Sequence, residues 1–397
     1  MALISIETLR PPPPRSGFAL FALGFRPFFL GAGAFAVLLM ALWLAFFRGE
    51  FSPAFAPPPV QWHAHEMLFG YAGAVVAGFL LTAVRNWTGL PTPSGKPLAA
   101  LFLLWLAGRL ASWLPGTPPL LYALIDLALF PALLIAIARP LLRARQPQNY
   151  VFPLMLGLLA LANLLMHAEW LGYAQSAVHG YTLALAMIVL MMVVMGGRVI
   201  PSFTDNKLRT QARRWQFVEW LAPGLTLAVP AAMLAAPAAP ITTALALTAA
   251  LVHGVRLYGW YTPRYWSVPL LWILHLGYAW IALGFLLTAL ATLGLASPTL
   301  ALHAFTAGAI GSLTLGMMAR VALGHTGRML EPARSVGVAF ALVVLAGALR
   351  VLPPLFAPAT YSAAILGSGL LWIAAFALFV FNYASLLIRP RVDGKPG

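Results

Sequence analysis

The chain has 397 residues, 61% of them hydrophobic and only 8% charged, with a formal net charge of +15 and no cysteine. A mean hydropathy of +0.88 over that length excludes a water-soluble fold and predicts an all-α polytopic membrane protein. The basic residues lie in short loops, where they set topology rather than bind nucleic acid, and the lack of cysteine removes Fe–S clusters, covalently attached haem and thiolate ligands.

The segment RPPPPR before the first apolar run carries no small-residue cleavage pattern, so no cleavable signal peptide is expected. Apolar runs punctuated by Pro, Gly and Arg then predict twelve transmembrane helices. They fall near 22–47, 63–85, 97–114, 119–139, 151–172, 177–199, 216–236, 240–257, 267–294, 300–322, 335–353 and 362–388. The loops on one side, with the termini and adjoining helix ends, hold 21 of the 24 basic residues, and the other side holds only Arg48, Arg109 and Arg350. Both termini are therefore expected in the cytoplasm.

The twelve segments divide into three groups of four, at roughly 18–145, 146–262 and 263–390, within one transmembrane domain. Each group opens on a proline-started helix, at Pro27, Pro153 and Pro269. The third helices of the first and last groups share Leu-Ala-Gly and a nearby arginine, Arg109 or Arg350, and their fourth helices end on Arg139-Pro140 and Arg389-Pro390. An even helix count makes such repeats parallel, and the natural packing is a pseudo-threefold ring with each second helix toward the centre.

Those second helices carry one pattern: a histidine, a membrane's length of apolar residues, an arginine, then a threonine. The pairs are His65 and Arg85, His179 and Arg198, and His303 and Arg320, spaced 20, 19 and 17 residues apart. At 1.5 Å per residue that is roughly 25–30 Å, one bilayer core. Ionisable groups in lipid are costly, so three imidazoles at matching depth suggest metal ligation, to haem iron or to copper. His167 closes the fifth helix on the same side, with Glu66, Asp126 and Glu169 near enough to orient ligands or relay protons. His63 joins the site only if the helix begins after it, because two residues along a helix point nearly opposite ways. His253, His275 and His325 belong to the other half, where the Gly-bounded GHTGR loop places His325 beside Arg328 for a second haem or an anionic headgroup.

Over WHAHEMLFGYAGAVVAGFLLTAVRNWTG, and again at GFRPFFL, GGRVIPSFT and GMMARVALGHTGR, the chain resembles the NnrS family of bacterial membrane proteins. That resemblance covers essentially the whole chain. It implies haem and copper as cofactors and a role in the response to nitric oxide. Its motif histidines correspond here to His63, His65, His303 and His325. The architecture is also similar to haem–copper oxidase subunit I, which has three four-helix arcs with ligands on each second helix. The chain departs from it in having no His-His pair after the sixth helix and no second histidine two residues from His303.

The reading that follows is a twelve-helix inner-membrane protein with haem held axially by His65 and His303. Copper lies near His179, helped by His167 or His63. The expected partners are nitric oxide or a related small ligand, membrane lipid and a quinol. The rival readings are a quinol-linked nitric oxide reductase, a haem, metal or small-anion transporter, and a sensor without turnover.

Overall fold

A computed structural model describes residues 17–50, 57–114 and 116–395. The described residues form helices, turns and loops with no strand. We number twelve helical spans: α1 Phe25–Phe47, α2 Pro59–Thr88, α3 Lys96–Ala111, α4 Pro119–Arg143, α5 Val151–Trp170, α6 Ala177–Leu208, α7 Gln216–Ala235, α8 Pro240–Trp260, α9 Pro269–Thr292, α10 Pro298–His325, α11 Arg334–Phe356 and α12 Tyr361–Ile388. Eleven are long and apolar enough to cross a membrane, whereas α3 has only 16 residues.

Local chemistry sets the boundaries. Proline occupies the first turn of α2, α3, α4, α8, α9 and α10, where its missing N–H costs nothing. Gly89, with φ of +67°, closes α2 by donating its N–H to the Arg85 carbonyl at 2.9 Å. Outward-facing residues are apolar: Leu164, Trp220, Leu251 and Phe381 are 49%, 74%, 67% and 83% exposed, the inverse of a soluble protein and the surface that lipid solvates.

The interior belongs to four spans. The most apolar stretches of α2, α6, α9 and α10 are 83%, 61%, 67% and 72% buried, against 28–44% for the other seven long spans. The three spans that carry the histidine-to-arginine pattern, α2, α6 and α10, meet around a cavity of about 90 Å³ walled by Val76, Phe79, Met191, Met195, Leu313 and Met317 among others.

Two of these three spans share a local device. After His65, residues Glu66–Ala72 wind as a π-helix, and after His303, Ala304–Ile310 do the same. Both read His-x4-Gly-x2-Gly-x4-Gly: His65, Gly70, Gly73, Gly78 and His303, Gly308, Gly311, Gly316. The glycines admit neighbouring helices to backbone distance, since a Cβ on Gly308 would lie 2.4 Å from Trp280, and one on Gly70 2.6 Å from Phe35. The middle span α6 is α-helical throughout and carries no such π turn.

Candidate functional site

The end of the bundle at which α2 and α10 begin holds two separate histidine clusters. The split follows from helix geometry. The helix of α2 starts at Pro59, ahead of both His63 and His65, so the two rings leave it nearly opposite one another. His63 therefore does not join His65, as its position inside the helix requires.

The first cluster is built by α2, α3, α4 and α5. The His65 ring is fully buried, with Nδ1 3.0 Å from Glu66 Oε1 and Nε2 3.1 Å from Asp126 Oδ2 and 2.9 Å from Asn163 Oδ1. Asp126 sits at the centre. Its Oδ2 also accepts from Asn163 Nδ2 at 2.7 Å and lies 3.0 Å from His167 Nε2. Arg109 reaches down from α3, with Nη1 2.8 Å from Glu66 Oε2 and Nη2 paired with Asp126 Oδ1. The approach of α3 is set by Gly108, whose Cβ, if present, would sit 3.0 Å from Asp126 Oδ1. Aromatic rings seal the group: Trp170 stands edge-on to both His65 and His167 at 5.0 Å, and Tyr122 lies 4.9 Å from His167.

The charges of this cluster do not balance. Arg109 supplies one positive charge against the two carboxylates of Glu66 and Asp126, all of them buried. With both imidazoles neutral, one negative charge remains in a region where an uncompensated charge is expensive. A proton on His65, whose two ring nitrogens both face carboxylate oxygens, neutralises it. So does a cation held by His65, Asp126 and His167, whose candidate ligand atoms all lie within 4.8 Å of one another. Ligands on opposite sides of an ion with bonds near ~2.0–2.1 Å span about 4 Å, so the set fits a small metal ion with sub-ångström adjustment.

The second cluster joins α1, α2, α10, α11 and α12. The half-buried His63 ring stacks on Trp43 at 4.1 Å, with His303 and Arg350 within electrostatic range. His63 Nδ1 is buried without a hydrogen-bond partner. His303 Nδ1 lies 2.7 Å from the Thr299 carbonyl, which leaves Nε2 to face another partner.

The other expected residues lie elsewhere. His65 and His303, read as an axial pair, belong to different clusters. His179 is exposed at the start of α6. Glu169 accepts from the Ala177 N–H at 2.7 Å and from Gln61 at 3.0 Å, so it caps α6 and touches the first cluster only through Gln61 and Trp170. His325 is at the opposite end, half-buried against Phe25, with Nε2 3.4 Å from Asn86. His253 is consumed by a network in that half, bonded to Tyr278 at 2.9 Å and Thr226 at 3.2 Å, with Tyr278 in turn accepting from Arg256.

Arg109, Asn163, Tyr122, Arg350 and Tyr361 were not among the expected site residues. Two signals for them are in the sequence. Arg109 and Arg350 are, with Arg48, the only basic residues on the histidine side. Asn163, His167 and Trp170 follow i, i+4, i+7 spacing, one helix face in an otherwise apolar run.

Compared with known families, residues 19–391 match the family model described as NnrS protein. No curated protein matches the chain.

Proposed function

The chain belongs to the NnrS family, and from that membership and the two histidine clusters we propose a haem- and copper-binding bacterial inner-membrane protein that acts in nitric oxide metabolism or protection. The observation that supports the reading is the pair of clusters at one end of the bundle, each with two imidazoles. Haem iron and copper, when bound, supply the affinity for nitric oxide that protein side chains lack.

The donor sets fit the two metals differently. His65, Asp126 and His167 offer two nitrogens and one oxygen in a compact, fully enclosed group, which suits a copper ion and leaves no room for a porphyrin among Arg109, Asn163 and Trp170. His63 and His303 have uncommitted nitrogens and stand half-buried on facing spans, which suits haem iron. Glu66 and Arg109 hold the His65 ring and the Asp126 carboxylate in place. Both termini are assigned to the cytoplasm, because the basic end of the bundle carries Arg26, Arg85, Arg198, Arg320, Arg328, Arg389 and Arg391. The shared histidine-glycine pattern and π turns of α2 and α10 favour a common origin for the first and third four-helix groups, and with α6 at the same centre they support a threefold arrangement.

Absorption spectroscopy and metal analysis of protein purified from membranes test the reading. A reduced b-type haem spectrum with copper is expected. Haem should be lost in His63→Ala and His303→Ala, and copper in His167→Ala. Protein carrying neither metal after expression with both supplied overturns it.

A further inference from the structure

Arg109 and Arg350 arrive at the histidine end from comparable places, the third helices of the first and third groups, but they end in opposite electrostatic situations. Gly347 brings α11 against the π turn of α10, since its Cβ would lie 2.9 Å from the Gly308 Cα, much as Gly108 brings α3 against α4. Arg109 then meets two carboxylates. Arg350 meets a phenol: Nη2 donates to the Tyr361 hydroxyl at 3.1 Å, and the guanidinium lies 4.8 Å from that ring's centroid. Arg350 is only 7% exposed, and its Nη1 is buried with no acceptor.

No carboxylate in the described structure is left over for it. Of the nine acidic residues, Glu66 and Asp126 face Arg109, Glu50 pairs with Arg48, Glu219 with Arg256, Glu331 with Lys207 and Asp393 with Arg391. Glu169 caps α6, and Asp205 accepts from Thr210 and the Ala212 N–H. Glu7 lies outside the described residues, and residues 51–56 contain no acid. A buried guanidinium lacking a counter-charge is costly. Besides Tyr361, the titratable groups beside it are His63 and His303, and His63 adds a donor rather than an acceptor when its Nδ1 carries the hydrogen.

We propose that Arg350, with His63 and His303, forms an anion site for a small planar group with two oxygens, a carboxylate or a nitrite-like oxoanion. The anion accepts from Arg350 Nη1. Where the imidazoles are free, His63 Nδ1 is the second donor and the ligand is a free oxoanion. Where they hold iron, the anion is a carboxylate arm of that same cofactor, and this second source alone rests on the haem reading above. The guanidinium fork suits a planar two-oxygen ligand better than a spherical ion.

The test uses purified full-length protein and the variants Arg350→Gln, Arg350→Lys and Arg48→Gln, each checked for monodispersity. Nitrite binding is followed by calorimetry and by the infrared bands of ¹⁵N-labelled nitrite, and haem content by absorption. Wild-type binding of nitrite that weakens at least tenfold in Arg350→Gln, but not in Arg48→Gln, identifies a free oxoanion. Protein that ignores nitrite but loses haem several-fold in Arg350→Gln, with Arg350→Lys retaining more, identifies the cofactor's carboxylate. If Arg350→Gln changes neither readout, the anion site is wrong. It is equally wrong if that variant melts higher than a wild type that binds neither ligand, as removal of an unpaired charge predicts. Haem-free protein leaves the nitrite arm intact, so loss of the haem reading and loss of the anion site are separate results.

Discussion

Asp126→Ala tests whether the first cluster is held by its ion pair. The Arg109 and Asp126 side chains are 3% and 2% exposed, so solvent screening offers little discount. Removal of one partner from a buried pair costs about 3–5 kcal/mol. Arg109 keeps Glu66 and stays balanced, so here the cost falls on His65, His167 and Asn163, which lose their common acceptor at about 1–3 kcal/mol for each buried group left unsatisfied. An unfolding entropy of ~2.1 cal/mol/K per residue converts this to a fall in melting temperature of about 4–6 °C for the whole chain. The shift is larger if the spans keep their helices in the micelle, because less entropy is then released. Fluorescence-detected size exclusion after stepwise heating measures it. The double variant Arg109→Met with Asp126→Ala removes one charge of each sign, so it should cost less than the sum of the singles by about 1–3 kcal/mol. A single-variant shift below 1 °C, or strict additivity in the double, refutes the pairing argument.

Gly197→Ala should destabilise by about 1–3 kcal/mol, because its Cβ would fall 1.9 Å from Arg256 Nη2 and push it off Glu219; an unchanged melting temperature argues against that packing. His179→Ala and His253→Ala should leave haem and copper content at wild-type levels, the first because the ring is exposed, the second because both its nitrogens are engaged; metal analysis of the two variants decides. Arg391 holds the Asp393 carboxyl down to about 2, so the tail's contact is fully present above the ordinary carboxyl value of 3.8 and is lost as pH falls through about 2; protease cleavage of the C-terminus should rise across that window and stay flat from pH 5 to 8. Nitric oxide consumption by the protein in liposomes, with electrons supplied from the histidine side, should leave interior pH nearly unchanged, and uncoupler-sensitive proton ejection would contradict that.

The architecture was legible where lipid imposes it. Hydrophobic runs broken by proline located all twelve helices, with starts at 119, 151, 177, 216 and 240 matching the structure. The misplaced ends have local causes. α2 begins at Pro59 rather than near 63, since proline in the first turn starts a helix that composition alone reads as loop. α6 runs to Leu208 rather than 199, because Pro201 sits within it without ending it. The site was half legible. Depth along each span placed His65, His167, Glu66 and Asp126 at one level, and the structure packs them together. Rotation about each helix axis was not legible, and it decides which residues at a level meet. It turns His63 and His303 toward α11 and α12, turns His65 toward α4 and α5, and leaves His179 exposed. The two arginines that break the charge asymmetry were visible as exceptions. Reading them as ligands' partners requires the third-helix glycines, whose effect appears only when the helices are in contact.

The proton argument follows from what separates the two polar halves. Toward the basic end, Glu219, Arg256, Tyr278, His253 and Thr226 form a continuous chain, and the Glu219 side chain is 27% exposed, so protons can reach that depth from the basic side. Toward the histidine end stand the Arg109 and Arg350 clusters. At the centre, where α2, α6 and α10 meet, the cavity of about 90 Å³ lies level with Tyr278, and among its lining side chains only Thr314 carries a hydroxyl, which is already bonded to Tyr71 at 2.5 Å. Water needs two to four polar partners to remain in such a space, and methionine, valine and leucine offer none of strength. A proton wire through this central cavity would need a hydrated relay that its walls do not support. The same apolar walls suit a small uncharged molecule such as nitric oxide, which crosses where protons cannot. Metal chemistry at the histidine end would then draw its protons from that side, or along the second cavity of about 180 Å³ that runs from Thr226 past Thr182 and Thr288 to Tyr181 and Pro298. Replacing Leu313 or Met195 by Asp or Glu is the change that should introduce a leak of protons through the centre.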